Sequence, residues 1–146
     1  MKPNIGKAIL GGFVGTILLT LMTQFVAPLM TGQKMDMAAR LGEMTGTGRS
    51  VGMMIHLFTG SVVFALIYVL VLFPFLPGAP WIKGLLCGVI FWLGLEIAMM
   101  PMIGGGFFSS RIGGMKVAVA ALIAHLVYGA ALGGIAGAPV VKQTYP

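Results

Sequence analysis

Four apolar stretches dominate this chain, at residues 8–30, 51–73, 84–103 and 117–138. Each holds 20 to 23 residues, and about 20 residues of helix cross a hydrocarbon layer of ~30 Å. The expected fold is therefore all-α: an integral membrane four-helix bundle, one transmembrane domain over residues 1–146. Composition agrees. Apolar residues make up 58% of the chain and charged residues 8%, against roughly 45–50% and about 25% in soluble domains. Twelve charges cannot cover the surface of a water-soluble fold this size. The first stretch exceeds the apolar core of a signal peptide, and no A-x-A-like cleavage site follows it.

The net charge of +6 does not indicate nucleic-acid binding. That function needs a continuous basic stripe, whereas these basic residues are scattered over span ends and loops. There they suit lipid headgroups. Lys2, Lys7, Lys83 and Lys142 fall on one side, and Lys34, Arg40, Arg49, Arg111 and Lys116 on the other. The split is nearly even; Lys2 and Lys7 beside the first span favour cytoplasmic termini in a plasma or bacterial inner membrane. The single cysteine, Cys87, provides neither a disulfide framework nor a thiolate cluster.

The two halves resemble each other. Lys7 to Gly12 opens the first span as Lys83 to Gly88 opens the third. Pro28 and Gly32 close the first span with the spacing of Pro101 and Gly105. Each half then carries a His-Leu-x-x-Gly helix, His56 to Gly60 and His125 to Gly129. This pattern suggests two parallel repeated helical hairpins, residues 1–73 and 81–141. An even number of spans per unit makes such repeats parallel. Apolar, Gly-rich composition alone is the other explanation.

Of the connections, residues 73–81 read as a Pro-rich turn at the membrane interface, with Trp81 at headgroup level. Residues 35–44 suit a short interfacial helix with Asp36–Arg40 and Arg40–Glu43 pairs. Residues 104–114 hold too many glycines for a helix and read as a flexible interfacial loop.

Small or polar residues recur every four positions on each span: Gly12, Thr16, Thr20 and Gln24; His56 and Gly60; Gly88 and Glu96; His125, Gly129 and Gly133. Such rows let helices approach closely in lipid, so Gly12, Gly60, Gly88, Gly129 and Gly133 are expected packing positions. The same rows carry both histidines of the chain and Glu96, the one acidic residue inside an apolar run. Ionisable groups within spans usually face a bundle interior and mark functional sites. Counting from the span ends puts Gln24, His56, Glu96 and His125 roughly 8–12 Å below one surface, as a single polar layer. All methionines except Met1 fall in that half or its loops. Met53, Met99 and Met100 are candidate soft ligands, although methionine also serves as a packing residue.

Three roles for this layer stay open. It is a structural hydrogen-bond network, a metal or haem site, or a proton or ion path. In the second, His56 and His125 ligate a b-type haem, or hold copper with the methionines while Glu96 orients a ligand. No hydrolase triad, zinc motif or nucleotide loop is present, which argues against an enzyme acting alone.

The chain resembles a family of small bacterial integral membrane proteins with four predicted spans and no assigned activity. The resemblance is carried by Ala27-Pro28-Leu29-Met30, by His56 with the run Gly60 to Tyr68, and by Leu76-Pro77-Gly78 with Pro80-Trp81. Met100-Pro101-Met102 leading into Gly104 to Phe107 completes it. It implies the four-span architecture and no chemistry. The functional expectation is a small non-enzymatic accessory or scaffold subunit of a larger membrane complex, or a homo-oligomer. The alternative is a cofactor-binding or ion-conducting bundle.

Overall fold

The computed structural model describes residues 3–137. Lys2, Ala138 and Lys142, together with the end of the second expected repeat, lie outside the described residues. Among the described residues four helices are long and apolar enough to cross a membrane: α1 (Ile5–Thr31), α3 (Arg49–Leu72), α4 (Pro80–Met102) and α5 (Met115–Ala136). A short helix, α2 (Met37–Met44), joins α1 to α3. The helices begin and end where local chemistry dictates. Asn4 caps α1 by accepting from the Lys7 N–H at 2.9 Å, and Gly32 ends it in a left-handed conformation at φ 75°. Asp36 caps α2 through the Ala39 N–H at 3.0 Å. Pro80 starts α4, where its missing N–H has no partner to lose.

Three spans contain wide π-helical turns, at Met22–Val26 in α1, Thr59–Val63 and Tyr68–Leu72 in α3, and Leu95–Met99 in α4. Proline explains three of the four. A proline cannot donate to the residue four positions back, and its ring collides with that carbonyl. For Pro28, Pro74 and Pro101 the opposed carbonyls belong to Gln24, Leu70 and Ile97, the central residue of each turn. The chain accommodates the collision by widening the helix there.

Helix α5 is central, packed against α1 on one side and α4 on the other. Glycines set these distances. A Cβ on Gly84 would lie 2.1 Å from the Gly129 carbonyl oxygen, and one on Gly88 2.3 Å from that of His125. On the α1 side, Gly15 leaves only 2.9 Å to the Tyr128 carbonyl oxygen. Helix α1 in turn packs on α3, where a Cβ on Gly12 would fall 2.6 Å from the Gly60 carbonyl oxygen. The glycines aligned between the two halves of the sequence thus make matching contacts, Gly12 with Gly60 and Gly88 with Gly129. Gly133 packs as tightly, against the Pro80 carbonyl.

The fourth face of the bundle differs. Helices α3 and α4 meet near the Pro-rich turn, where the Tyr68 hydroxyl donates to the Pro80 carbonyl at 3.1 Å. Phe64 stacks on Phe91 with ring centroids 4.1 Å apart. Beyond that pair the two helices diverge. Helix α2 lies over the opening and is anchored to the start of α3, since Gly52 lets the Ala38 carbonyl approach within what would be 1.9 Å of a Cβ.

The expected pairing within α2 does not form. Asp36 bonds instead to the Arg49 Nε at 2.7 Å, because as N-cap it turns away from the helix surface and toward the start of α3. Partial burial works to raise the Asp36 carboxyl. Hydrogen bonds from Arg49, the Ala39 N–H and Gln24, with the Arg49 charge, outweigh this and hold it below its ordinary value. The glycine-rich connection is not a loose interfacial loop either. It contains a 3₁₀ turn at Phe107–Ser109, and Ser109 is fully buried.

A candidate ligand cavity between helices α3 and α4

The gap between α3 and α4 is a cavity of about 670 Å³, within the size range of cofactor sites. Its walls are mostly apolar: Leu19 from α1, Ile55, Phe64 and Ile67 from α3, and Ile90, Phe91, Leu95 and Met99 from α4. Tyr128 forms part of the lining beside the aromatic pair, fixed by its hydroxyl donating to the Gly60 carbonyl at 2.6 Å. Helix α2 contributes Met37, Arg40, Leu41 and Met44, and Lys34 precedes it.

Both histidines reach this cavity, and they are held differently. The His125 Nδ1 lies 2.8 Å from the Ala121 carbonyl oxygen, one turn back on α5. A carbonyl only accepts, so Nδ1 carries the proton and the neutral ring presents Nε2 as a lone pair. That Nε2 has no protein partner among the described residues, yet it is not a sealed-off buried atom. His56 is tied to α1. Its Nε2 is 3.2 Å from the Thr20 hydroxyl oxygen, and that hydroxyl gives its own proton to the Thr16 carbonyl at 2.7 Å. The His56 Nε2 therefore donates to Thr20. The two imidazoles are within electrostatic reach of each other.

The other expected members of the polar layer are elsewhere. Glu96 is 0% exposed and does not line the cavity. It accepts from the Ser109 hydroxyl at 2.9 Å, and its second oxygen has no partner. The π-helical turn at Leu95–Met99 rotates it toward the 104–114 connection. Gln24 reaches Asp36 instead of a histidine. Met99 and Met100 line the cavity, and Met53 does not. Glu96 with Ser109 is thus separate from the cavity histidines, while Asp36, with Gln24 beside it, stays within electrostatic reach of His56.

Lys34, Arg40, Met35, Met37, Met44 and Met102 also line the cavity without having been singled out as ligands. The sequence signal was the amphipathic α2, whose apolar face suits a roof as well as a lipid surface. Arg40 was masked by the two acidic neighbours expected to pair with it. Among the described residues no group of three or more His, Cys, Asp or Glu side chains converges as a metal cage.

A family model described as a family of unknown function, DUF6789, matches residues 3–143. The chain belongs to that family. No curated protein and no solved structure matches it. The match covers all four spans and both cavity histidines, so the cavity lies within the family's matched region.

Proposed function

We propose that this member of the DUF6789 family is a small, non-enzymatic, cofactor-carrying membrane subunit whose cavity holds a b-type haem through His125. The observation that carries this reading is His125 on the cavity wall, with Nδ1–H fixed on the Ala121 carbonyl and Nε2 without a protein partner among the described residues. Histidines that ligate metals generally have their other nitrogen held in this way. The surrounding walls suit a large planar apolar body, with Phe64, Phe91, Ile90 and Leu95 among them. Bound haem supplies one-electron redox chemistry, with its potential set by the axial ligand and the dry surroundings.

The same geometry favours haem over copper. A copper ion needs ligand atoms converging on one point, and among the described residues no group of three or more His, Cys, Asp or Glu side chains converges, while Met53 lies outside the cavity. A proton path through Glu96 gains no support, because Glu96 faces Ser109 and not the histidines. In this reading His125 supplies Nε2, and His56, whose Nε2–H is held by Thr20, keeps Nδ1 as its own lone pair.

We place the subunit in a bacterial plasma membrane with both termini cytoplasmic, as part of a homo-oligomer or a larger membrane complex. The test is an absorption spectrum, with haem extraction and metal analysis, on protein purified in mild detergent under anaerobic conditions. One haem per chain with a strong visible band is expected. Colourless protein that also takes up no added haem contradicts the proposal, and stoichiometric copper in its place would revive the metal reading.

A further inference from the structure

Arg40 combines three properties that rarely occur together. It lines the mouth of an apolar cavity, it is half-buried, and its guanidinium makes no hydrogen bond or ion pair among the described residues. Its natural partners in sequence are taken or turned away, since Asp36 is bonded to Arg49 and Glu43 is exposed to solvent. Lys34 stands at the same mouth, also without an acidic partner. An arginine without an acidic partner beside an apolar cavity favours an anionic group on whatever the cavity holds, and its planar fork matches a carboxylate. The close packing of Ala38 on Gly52 and of Gly42 on Gly48 holds α2, and with it Arg40, in a fixed place over the cavity.

From this we infer that Arg40 is the anchor for an acid group on the molecule held in the cavity, with Lys34 as an auxiliary cation. The occupant is an amphiphile, its apolar body among α3, α4 and α5 and its carboxylate under α2. The inference rests on the haem reading, in which the acid groups are the propionates. It adds a fixed orientation: the porphyrin edge bearing the acids faces α2, and the opposite edge faces Phe64 and Phe91. An anionic lipid headgroup offers similar chemistry, and the test separates the two.

The experiment titrates haem and its dimethyl ester, which lacks the carboxylates, into protein held in nanodiscs of zwitterionic lipid. Binding is read from the visible band. Wild-type protein should bind haem about tenfold to a hundredfold tighter than the ester, the range for a hydrogen bond to a charged group. Arg40→Gln should remove that difference by weakening haem alone, Arg40→Lys should restore part of it, and Lys34→Gln should have a smaller effect. Ester binding guards against misfolding, because it should be the same in wild type and Arg40→Gln. Equal affinities for haem and ester in wild-type protein overturn the anchor while leaving the haem site standing. A preference for haem that persists in Arg40→Gln also overturns it. If the preference disappears only when anionic lipid is added, the guanidinium is a lipid contact and the inference fails. If neither form binds, the haem reading fails first and the anchor with it.

Discussion

A strict two-hairpin repeat would make two faces of this bundle equivalent, α1 against α5 and α4 against α3, yet one is closed and the other open. On the closed face Gly11 and Gly15 bring the backbones together, leaving 3.0 and 2.9 Å between a hypothetical Cβ and the Leu132 and Tyr128 carbonyl oxygens. On the open face the facing residues are Ile55, Phe64, Ile67, Ile90, Phe91 and Leu95. These are too bulky for backbone contact and are propped apart by the stacked Phe64–Phe91 pair. Gly94 makes the contrast sharpest. It lies on the cavity wall, and a Cβ there would meet nothing within 4 Å. In a membrane, where burial from water drives little, the size of facing side chains decides which seams close. A four-helix bundle can thereby keep one seam open while the others close.

The largest effect expected from this contrast is on stability. Gly129→Leu places a side chain where even a Cβ would be 2.1 Å from the Gly84 carbonyl oxygen. It should cost about 3 kcal/mol or more, at or beyond the upper end for overpacked sites. Gly94→Ala should instead be neutral or stabilise by up to about 1 kcal/mol through helix propensity. Reversible denaturation in mixed micelles measures both, and similar losses at the two positions would erase the distinction between the faces.

Next in size is occupancy of the open face. Gly94→Trp projects a ring into the cavity and should weaken haem uptake by more than about tenfold, equivalent to ~1.4 kcal/mol, at unchanged thermal stability. Unaltered uptake would place the ligand somewhere other than between α3 and α4. Ser109→Ala then tests whether the Glu96 arrangement is structural. It leaves a second carboxyl oxygen of a fully buried side chain without a partner, at an expected cost of about 1–3 kcal/mol. Haem affinity should not change, because neither residue lines the cavity.

The smallest effect is the pH response of α2. The folded state holds the Asp36 carboxyl below 3.8, so it favours the ionised form. The stabilisation is therefore present above that value and lost as pH falls through the lower folded-state value. Protease access to residues 33–48 should rise in strong acid, and Asp36→Asn should remove most of that pH dependence. The pair is partly exposed, so the change will be modest.

The spans were legible because apolar length is a property of consecutive residues and needs no knowledge of neighbours. The packing glycines were legible for a related reason, since residues four apart share a helix face whatever lies opposite. The cavity was half legible. His56 and His125 could be placed together from depth alone, because α3 and α5 keep regular helical phase at those residues. Glu96 could not. It follows the start of a π-helical turn imposed by Pro101, and one such turn shifts the phase of the helix enough to point the side chain at another neighbour. Arg40 was misassigned for a different reason. Spacing along α2 favoured Asp36 and Glu43 as partners, while the better partner for Asp36 is Arg49, brought near by the fold.

The central claim, that His125 presents the ligating nitrogen of this cavity, is tested most directly by titrating haem into the purified His125→Ala and His56→Ala variants. The account predicts that His125→Ala loses the visible band of a ligated haem, and that added imidazole partly restores it. His56→Ala should keep a haem band, because His125 still supplies a ligand. Retention of an unaltered band in His125→Ala, or its loss only in His56→Ala, would contradict the account.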